Sequence, residues 1–599
     1  MYNIKGSGEV SELISEDVLK GSIMDLRLED VKRRVPVDEV IKICDEIVKS
    51  PIPETPYRHF SEFYKSGNRT HYETLYFSKR RNMYFLSVGA FLTKDDKFLE
   101  KLNDYLWSTC EESTWCLPAH VPEKLDFNEP YIDLFASTTA EQLGEILDTL
   151  RDKLEDNIRN RIAFELKRRV FMPFVENPGK YWWADRFRSN WCAVCCGAIG
   201  SAAIMFKLKE PYLSRLLAEV IHRLNQYLDN FDDEGGWVEG VGYWNFGLTH
   251  LVRFADALCK ITEGKLNLFE HPKLQAAGSF PVHCFLPPDG FVNFGDCAPG
   301  VKLSADLIKS LAINTSRGDE LSYLLEELPD FRLNRFGTLR NLKGWSLPEP
   351  KMPDELYRYF KGIGWIVTRK SWQDKLTAVL AVKAGNNGEP HNHIDVGQFI
   401  FHVFGEDFLC DLGSGIYDRA YFGESRYENP FCGADGHSLI FINGKGEGIG
   451  ERFYGRIVEF KPEEKFDVIL LDLTRAYPSW LVDKVERKLT FLKDRSEGGL
   501  ILEDEVKTKK KTSIESRLQI QGKPRIITDK EVVLKGHLGN VCIKVEKPKN
   551  VHIRIGELRN LKAREGRRAA KYLSILADDV SDIKFVVKVL PFRDTKELK

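Results

Sequence analysis

The sequence predicts an α+β multidomain chain, with a helical N-terminal part and an antiparallel β-sandwich behind it. Three observations predict this. At 599 residues the chain exceeds what one hydrophobic core organises. From about Val37 to Leu328, apolar residues recur at helical spacing between polar loops. Beyond Pro353 the apolar runs shorten to strand length and are punctuated by Gly, Lys-Asp and Pro. Leu328 to Pro353 contains several prolines and no period, so the division falls there, as residues 1–345 and 346–599.

In the first part, Leu147, Leu150, Leu154, Ile158, Ile162, Leu166 and Val170 illustrate the helical spacing, and Leu213, Leu217, Val220, Leu224 and Leu228 repeat it. Several amphipathic helices without intervening strands pack as pairs in a ring or superhelix. Cys192, Cys195 and Cys196 have no second cysteine pair at zinc spacing, and their neighbours are small helix-core residues, so they read as buried thiols. Trp115 with His120, Tyr181-Trp182-Trp183, Trp237, Tyr243-Trp244 and Phe291 with Phe294 stand beside Gly, Pro, Asn and Asp. That placement predicts loops whose aromatic rings line a groove for sugar rings.

In the second part, strands are expected at Gly364–Thr368, Leu376–Lys383, Val485–Phe491, Leu500–Val506, Ile514–Ile520, Val532–Leu534, Val541–Val545, Val551–Ile555 and Ile583–Val589. Lys507–Lys511 reads as a solvated hairpin tip, and the Arg564, Arg567 and Arg568 cluster reads as surface ahead of the alternative, contact with a polyanion.

A formal net charge of -2 gives no global attraction to nucleic acid or anionic membrane, so a polyanion would need a local basic lining. Met1–Gly8 has no charged segment followed by an apolar one, and no run approaches a membrane span; the sequence as it stands reads as cytoplasmic. Twelve cysteines in such a chain read as free thiols.

Chemistry concentrates between His391 and Asn443. His391, Asn392, His393 and Asp395 fall within five residues, Asp411 follows, and His437 comes after the turn Gly433–Gly436. Imidazole and carboxylate suit a zinc-type ion, with manganese or calcium as alternatives. Gln398–Phe404 and Phe408–Cys410, split by Gly405-Glu406-Asp407, form a hairpin that carries Asp411 back toward the histidines. His391 and His393 share a strand face by spacing, yet the register leaves Asp411 short of His393, so the segment must curl. Upstream, Arg186–Trp191 leads into the small-residue helix, and Asp232–Trp244 is a glycine-rich stretch predicted to present Tyr243 from a loop.

The words His391-Asn392-His393-Ile394-Asp395-Val396-Gly397, Asp411–Tyr417, Arg426-Tyr427-Glu428, Gly436-His437-Ser438 and Ile442-Asn443-Gly444 together resemble the C-terminal signature of the heparinase II/III-like polysaccharide lyases. The resemblance implies an incomplete α/α toroid for the helical part. It implies that Asn190 faces the uronate carboxylate, that Tyr243 transfers protons, and that His393, Asp411 and His437 bind one structural divalent metal. Many relatives carry His directly after that Asn, where this chain has Trp191, so proton abstraction falls on Tyr243, His391 or both. The substrate contacts nominated are Arg80, Arg81, Arg188 and Arg426, the aromatic residues Trp115, His120, Trp191, Trp244 and Tyr427, and Glu239. Nearby arginines are expected to lower the Tyr243 pKa from near 10.

The function so implied is β-elimination of a uronic-acid-containing polyanion, such as hyaluronan, chondroitin or heparan sulfate. Alternatives are an alginate or oligoalginate lyase and a uronyl C-5 epimerase using the same residues. A metal-dependent hydrolase and a non-catalytic glycan binder are the other classes. Glu234 and Glu239 are the nearest candidates for a hydrolase carboxylate pair. The partner expected is an acidic poly- or oligosaccharide, with no nucleic acid and no membrane.

Overall fold

The computed structural model describes residues 6–93, 95–334 and 337–593; part of the N-terminal reading, Met1–Lys5, lies outside them. Helices dominate up to Leu342, and the strands of the large sheet begin at Tyr357. The apolar residues expected at helical spacing are buried, including Leu147, Leu150, Ile162 and Leu166, and Leu213 through Leu228 lie on one helix, Tyr212–Asp229. No helix among the described residues is long and apolar enough to cross a membrane.

The helix Asn190–Phe206 is buried almost end to end. It packs against Leu134–Leu150, Tyr212–Asp229 and Val241–Ile261. Its small residues permit that approach: a Cβ at Gly197 would meet the His250 carbonyl carbon at 2.5 Å, and one at Gly200 the Phe254 ring at 2.6 Å. Cys192, Cys195 and Cys196 are buried, unpaired thiols within this packing, as composition predicted. The close approach of the two helices brings Asn190, at the start of one, beside the start of the other, where Tyr243 lies.

The C-terminal strands form one antiparallel hydrogen-bonded network. Its spine is two long strands, Gly499–Ile520 and Ala569–Phe592, paired along most of their length. The first half of Gly499–Ile520 also pairs with Val482–Leu492, and its second half with Ile440–Ile442 and Glu406–Leu409. The tip expected at Lys507–Lys511 is therefore not a hairpin. These lysines lie inside one strand, at a register shift between Lys507 and Thr512 that bends it without ending it. The hairpin Phe399–Val403 with Glu406–Leu409 forms as expected.

The helical core continues into the first strands of the sheet through Phe360, Trp365, Val367, Val379, Ala381 and Ile400. A shared apolar mass, at roughly 1.5–3 kcal/mol for each fully buried large side chain, seats the sheet on the helices and fixes the cleft between them.

Candidate active site

A cavity of about 1620 Å³ opens between the helical part and the sheet domain. The helical part contributes Phe63, Arg69, His120, Trp182, Arg188, Asn190, Trp191 and Tyr243, and the sheet domain Glu389, His391, Tyr417, Arg419, Phe422 and Arg564.

Asp296 organises its centre. This buried carboxylate comes from the loop after Gly295 and accepts from His391 Nδ1 at 2.7 Å, His393 Nε2 at 2.9 Å, Tyr421 Oη at 2.5 Å and Arg426 Nη2 at 2.9 Å. Burial opposes its ionisation, but the two histidine hydrogen bonds and the Arg426 charge hold its pKa well below the usual carboxylate range. His391 is not on a strand. It has φ 54°, in the left-handed region that a side chain other than glycine adopts at a cost. This is the curl the register demanded, and Lys383 stabilises it with a buried ion pair to Asp395 at 2.5 Å.

Tyr243 stacks on the His391 ring, with centroids 4.0 Å apart, and its hydroxyl meets Tyr417 Oη at 2.7 Å. The expectation of a loop is overturned, because Tyr243 stands in the first turn of the helix Val241–Ile261; the glycines end at Gly240, φ 87°, and Gly242 is already helical. The expected lowering of its pKa is overturned too. Burial raises it well above the ordinary phenol value, with Tyr417 and Asp296 adding to the effect and Arg564 opposing it.

Asn190 is buried; its Nδ2 lies 3.2 Å from both oxygens of Glu239, and its backbone N–H donates to the same carboxylate at 3.0 Å. Trp237 Nε1 also donates to Glu239, at 2.8 Å. Glu239 thus lines the cavity floor as the support of Asn190. Burial holds its pKa above the usual range, against the His391 charge and the Trp237 and Asn190 hydrogen bonds.

Behind His391, ligand atoms of His393, Asp411 and His437 lie within 4.8 Å of one another, all buried. His393 Nδ1 is buried with no hydrogen-bond partner, while its Nε2 is held by Asp296. His437 Nε2 donates to the Phe431 carbonyl, and Gln398 Nε2 donates to Asp411 Oδ2. Ligands oriented by hydrogen bonds of this kind fit a divalent ion of the zinc type. Asp296, His393 and Cys432 also come close together, but Asp296 is already fully engaged and burial pushes the Cys432 thiol up to about 12, so the first set fits better.

Other nominated residues divide. His120, Trp191, Arg188 and Tyr427 line the cavity; His120 is held by Asp133 at 2.7 Å and meets Trp191 at 4.8 Å between centroids. Arg188 is exposed on the rim and bridges to Glu389 at 2.5 Å. Arg426 faces the cavity, but its donors go to Asp296, Asn392 O and Tyr421 O, so it braces the site and is not free for substrate. Arg80 is buried on Glu112 at 2.7 and 2.6 Å, and Arg81 is exposed and away from the cavity lining. Trp115 and Trp244, with Trp183, Trp237, Phe291 and Phe294, are core residues: the helical packing needed large apolar volume beside the loops. Of the expected aromatic groove, His120, Trp182 and Tyr243 line the cavity; Trp182 is exposed and meets Trp191 in a tilted contact, with centroids 4.8 Å apart.

Sequence reasoning missed Asp296, Tyr417 and Arg419 as site residues, and for Arg564 it ranked surface ahead of polyanion contact. Arg564, read as surface, reaches the cavity and covers the Tyr417 ring at 4.0 Å. Two glycines are local signals near them: Gly295, φ 66°, stands directly before Asp296, and at Gly413, φ 65°, a Cβ would lie 2.4 Å from Cys297 O, so glycine lets the Asp411 segment meet the Asp296 loop.

A helical part followed by an antiparallel sheet domain, with buried histidines between them, defines a toroid-and-sheet protein. Residues 352–571 match the family described as heparinase II/III-like, C-terminal. Among solved structures, heparinase III is similar with a TM-score of 0.66 and 13% identity, covering 98% of this chain and 95% of that one. Heparan sulfate lyase HepC from Pedobacter heparinus gives 0.60 and 13%, covering 97% and 93%. Chondroitin AC lyase from Streptomyces coelicolor A3, in complex with chondroitin sulphate, gives 0.50 and 11%, covering 94% and 83%. At such identities the likeness is one of fold. No curated protein matches the chain.

Proposed function

We propose that the chain is a polysaccharide lyase that cleaves a uronate-containing polymer by β-elimination. The observation that carries this reading is the convergence of His391, Tyr243 and Asn190 on one wall of the cavity, the first two in ring contact at 4.0 Å. The similar structures are described as heparinase III, a heparan sulfate lyase and a chondroitin AC lyase, and this supports the class of substrate.

Elimination requires removal of the proton beside the uronate carboxylate. The electron pair forms the new carbon–carbon double bond, and the bond to the leaving glycosidic oxygen breaks. Asp296 accepts from His391 Nδ1, which leaves Nε2 as the basic nitrogen; it faces the Asn190–Glu239 wall, 3.9 Å from Glu239 Oε1. His391 therefore serves as the base. Asn190 Nδ2 carries two protons; with one held by Glu239, the other donates to the substrate carboxylate, and the raised pKa of Glu239 reduces the negative charge behind it. Tyr243, kept protonated by burial, donates to the leaving oxygen, with Tyr417 in position to relay the proton.

A divalent ion held by His393, Asp411 and His437 would supply positive charge and fix the segment that carries His391. Zinc is the first choice on ligand type.

The cavity wall carries Arg69, Arg186, Arg188, Arg419, Arg426 and Arg564, but also Glu73, Asp185, Glu239, Asp296, Glu389, Asp418 and Glu451. Carboxylates thus balance the arginines, and this favours a polymer charged mainly by its uronates over a heavily sulfated one. The test is incubation with a panel of uronate polymers. Rising ultraviolet absorbance from an unsaturated uronyl end is expected, strongest for polymers with little sulfate. Chain shortening without absorbance would mean hydrolysis; solvent deuterium entering the uronate at constant length would mean epimerisation.

A further inference from the structure

The helix pair Tyr57–Ser66 and Thr70–Leu92 carries Phe63, Arg69, Glu73 and Phe77 to the cavity, and it carries a second group of ligand-type side chains that the proposed chemistry does not use. We propose that His59, Glu62 and His71 form a site for a divalent transition cation of the zinc type. Ligand atoms of the three lie within 4.8 Å of one another. His71 Nδ1 is 2.9 Å from Glu62 Oε2, and His59 Nδ1 is 3.6 Å from the same oxygen. Bonds of 2.0–2.1 Å in a tetrahedron place ligand atoms roughly 3.3 Å apart, so the observed spacings need only small adjustments.

The chain explains the convergence. His59 and Glu62 are three apart on one helix face. Gly67, at φ 79°, turns the chain so that His71, in the first turn of the next helix, comes back over them. A plain ion pair would account for His71 against Glu62. The cluster adds a second imidazole to that pair, His59 on the same oxygen, with the two rings 5.6 Å apart between centroids, and two imidazoles with one carboxylate are a ligand set of the zinc type. The side chains are 23%, 27% and 58% exposed for His59, Glu62 and His71, which leaves room for water to complete the coordination.

The site has a mechanical consequence. Arg419, from the sheet domain, donates to Phe63 O at 2.6 Å, and a Cβ at Gly67 would lie 3.1 Å from its Cβ. A cation joining the two helices braces the rim on which the sheet-domain segment rests.

The test is calorimetric titration of the full chain with zinc chloride, comparing wild type, His71→Ala, His59→Ala and His437→Ala, with circular dichroism to verify folding. Wild type is expected to bind one equivalent more than His71→Ala or His59→Ala, and that equivalent should weaken on acidification as the histidines protonate. His437→Ala should keep this equivalent and its zinc-dependent rise in Tm, which separates the site from the buried set. Equal stoichiometry in wild type and a folded His71→Ala would overturn the proposal, whatever the buried histidines do.

Discussion

Asp296 and His391, separated by 95 residues and carried by different domains, meet through a 2.7 Å hydrogen bond that fixes which nitrogen of the imidazole faces the cavity. The same carboxylate holds His393, Tyr421 and Arg426, so it ties the base, the ligand set and the cavity wall together. Asp296→Asn keeps the volume and removes the charge. It should lower kcat by about 10²-fold or more, as for loss of an oriented general base. It should also lower Tm, since hydrogen bonds to a charged group contribute about 1.5–3 kcal/mol each. Wild-type kcat in a folded Asp296→Asn protein would remove Asp296 from the orientation of the base.

Tyr243→Phe removes one hydroxyl and leaves the ring stacked on His391. Turnover should be abolished while Tm and substrate binding stay near wild type, because the loss falls on the proton transfer step. Tyr417→Phe should cost less, since Tyr417 is the partner hydroxyl and not the donor. Steady-state kinetics and equilibrium binding separate the two; a Tyr243→Phe protein that still turns over at the wild-type rate would disprove the assignment.

Local words carried much of this arrangement. The helical spacing of Leu213 to Leu228, the hairpin around Gly405 and the cluster at His391 are properties of short windows, and the structure forms them. What failed depended on distant packing. Trp115 and Trp244 stand beside loop-forming residues, but the helix interfaces bury them. Arg564 lies in a basic run typical of surface, yet it reaches the cavity because the chain passes beside the Asp411–Tyr417 segment, where Gly415 pairs with Ala563. Asp296 had only the neighbouring Gly295 to mark its window, since its four partners come from residues far along the chain.

Metal removal should act on stability and activity together. His393, Asp411 and His437 lie on separate segments of the sheet domain, so an ion bound there joins them and contributes to folding. Chelation, or His437→Ala, should lower Tm and kcat in parallel, and elemental analysis should find the ion in freshly purified protein. A chelated protein that melts unchanged would count against the site.

Glu447 provides a test of how the His391 segment is held. Its Oε2 accepts from Val396 N–H at 3.1 Å and from Asn387 Nδ2 at 3.0 Å, and its Oε1 is buried without a partner. Burial raises its pKa to about 8, aided by the nearby Asp395 charge. The folded state therefore binds this proton more tightly than the unfolded state. The stability it contributes is present at low pH and is lost as pH rises from the ordinary carboxylate range, near 4.5, toward about 8. The loss is at most about 1.4 kcal/mol per pH unit across that window. Glu447→Gln keeps an acceptor for both donors and cannot ionise. Its Tm should match wild type at about pH 5 and exceed it at about pH 8.5, where the wild-type carboxylate is charged in a buried site. Thermal unfolding of both proteins across that range checks the prediction, and parallel Tm profiles would show that Glu447 does not titrate where burial places it.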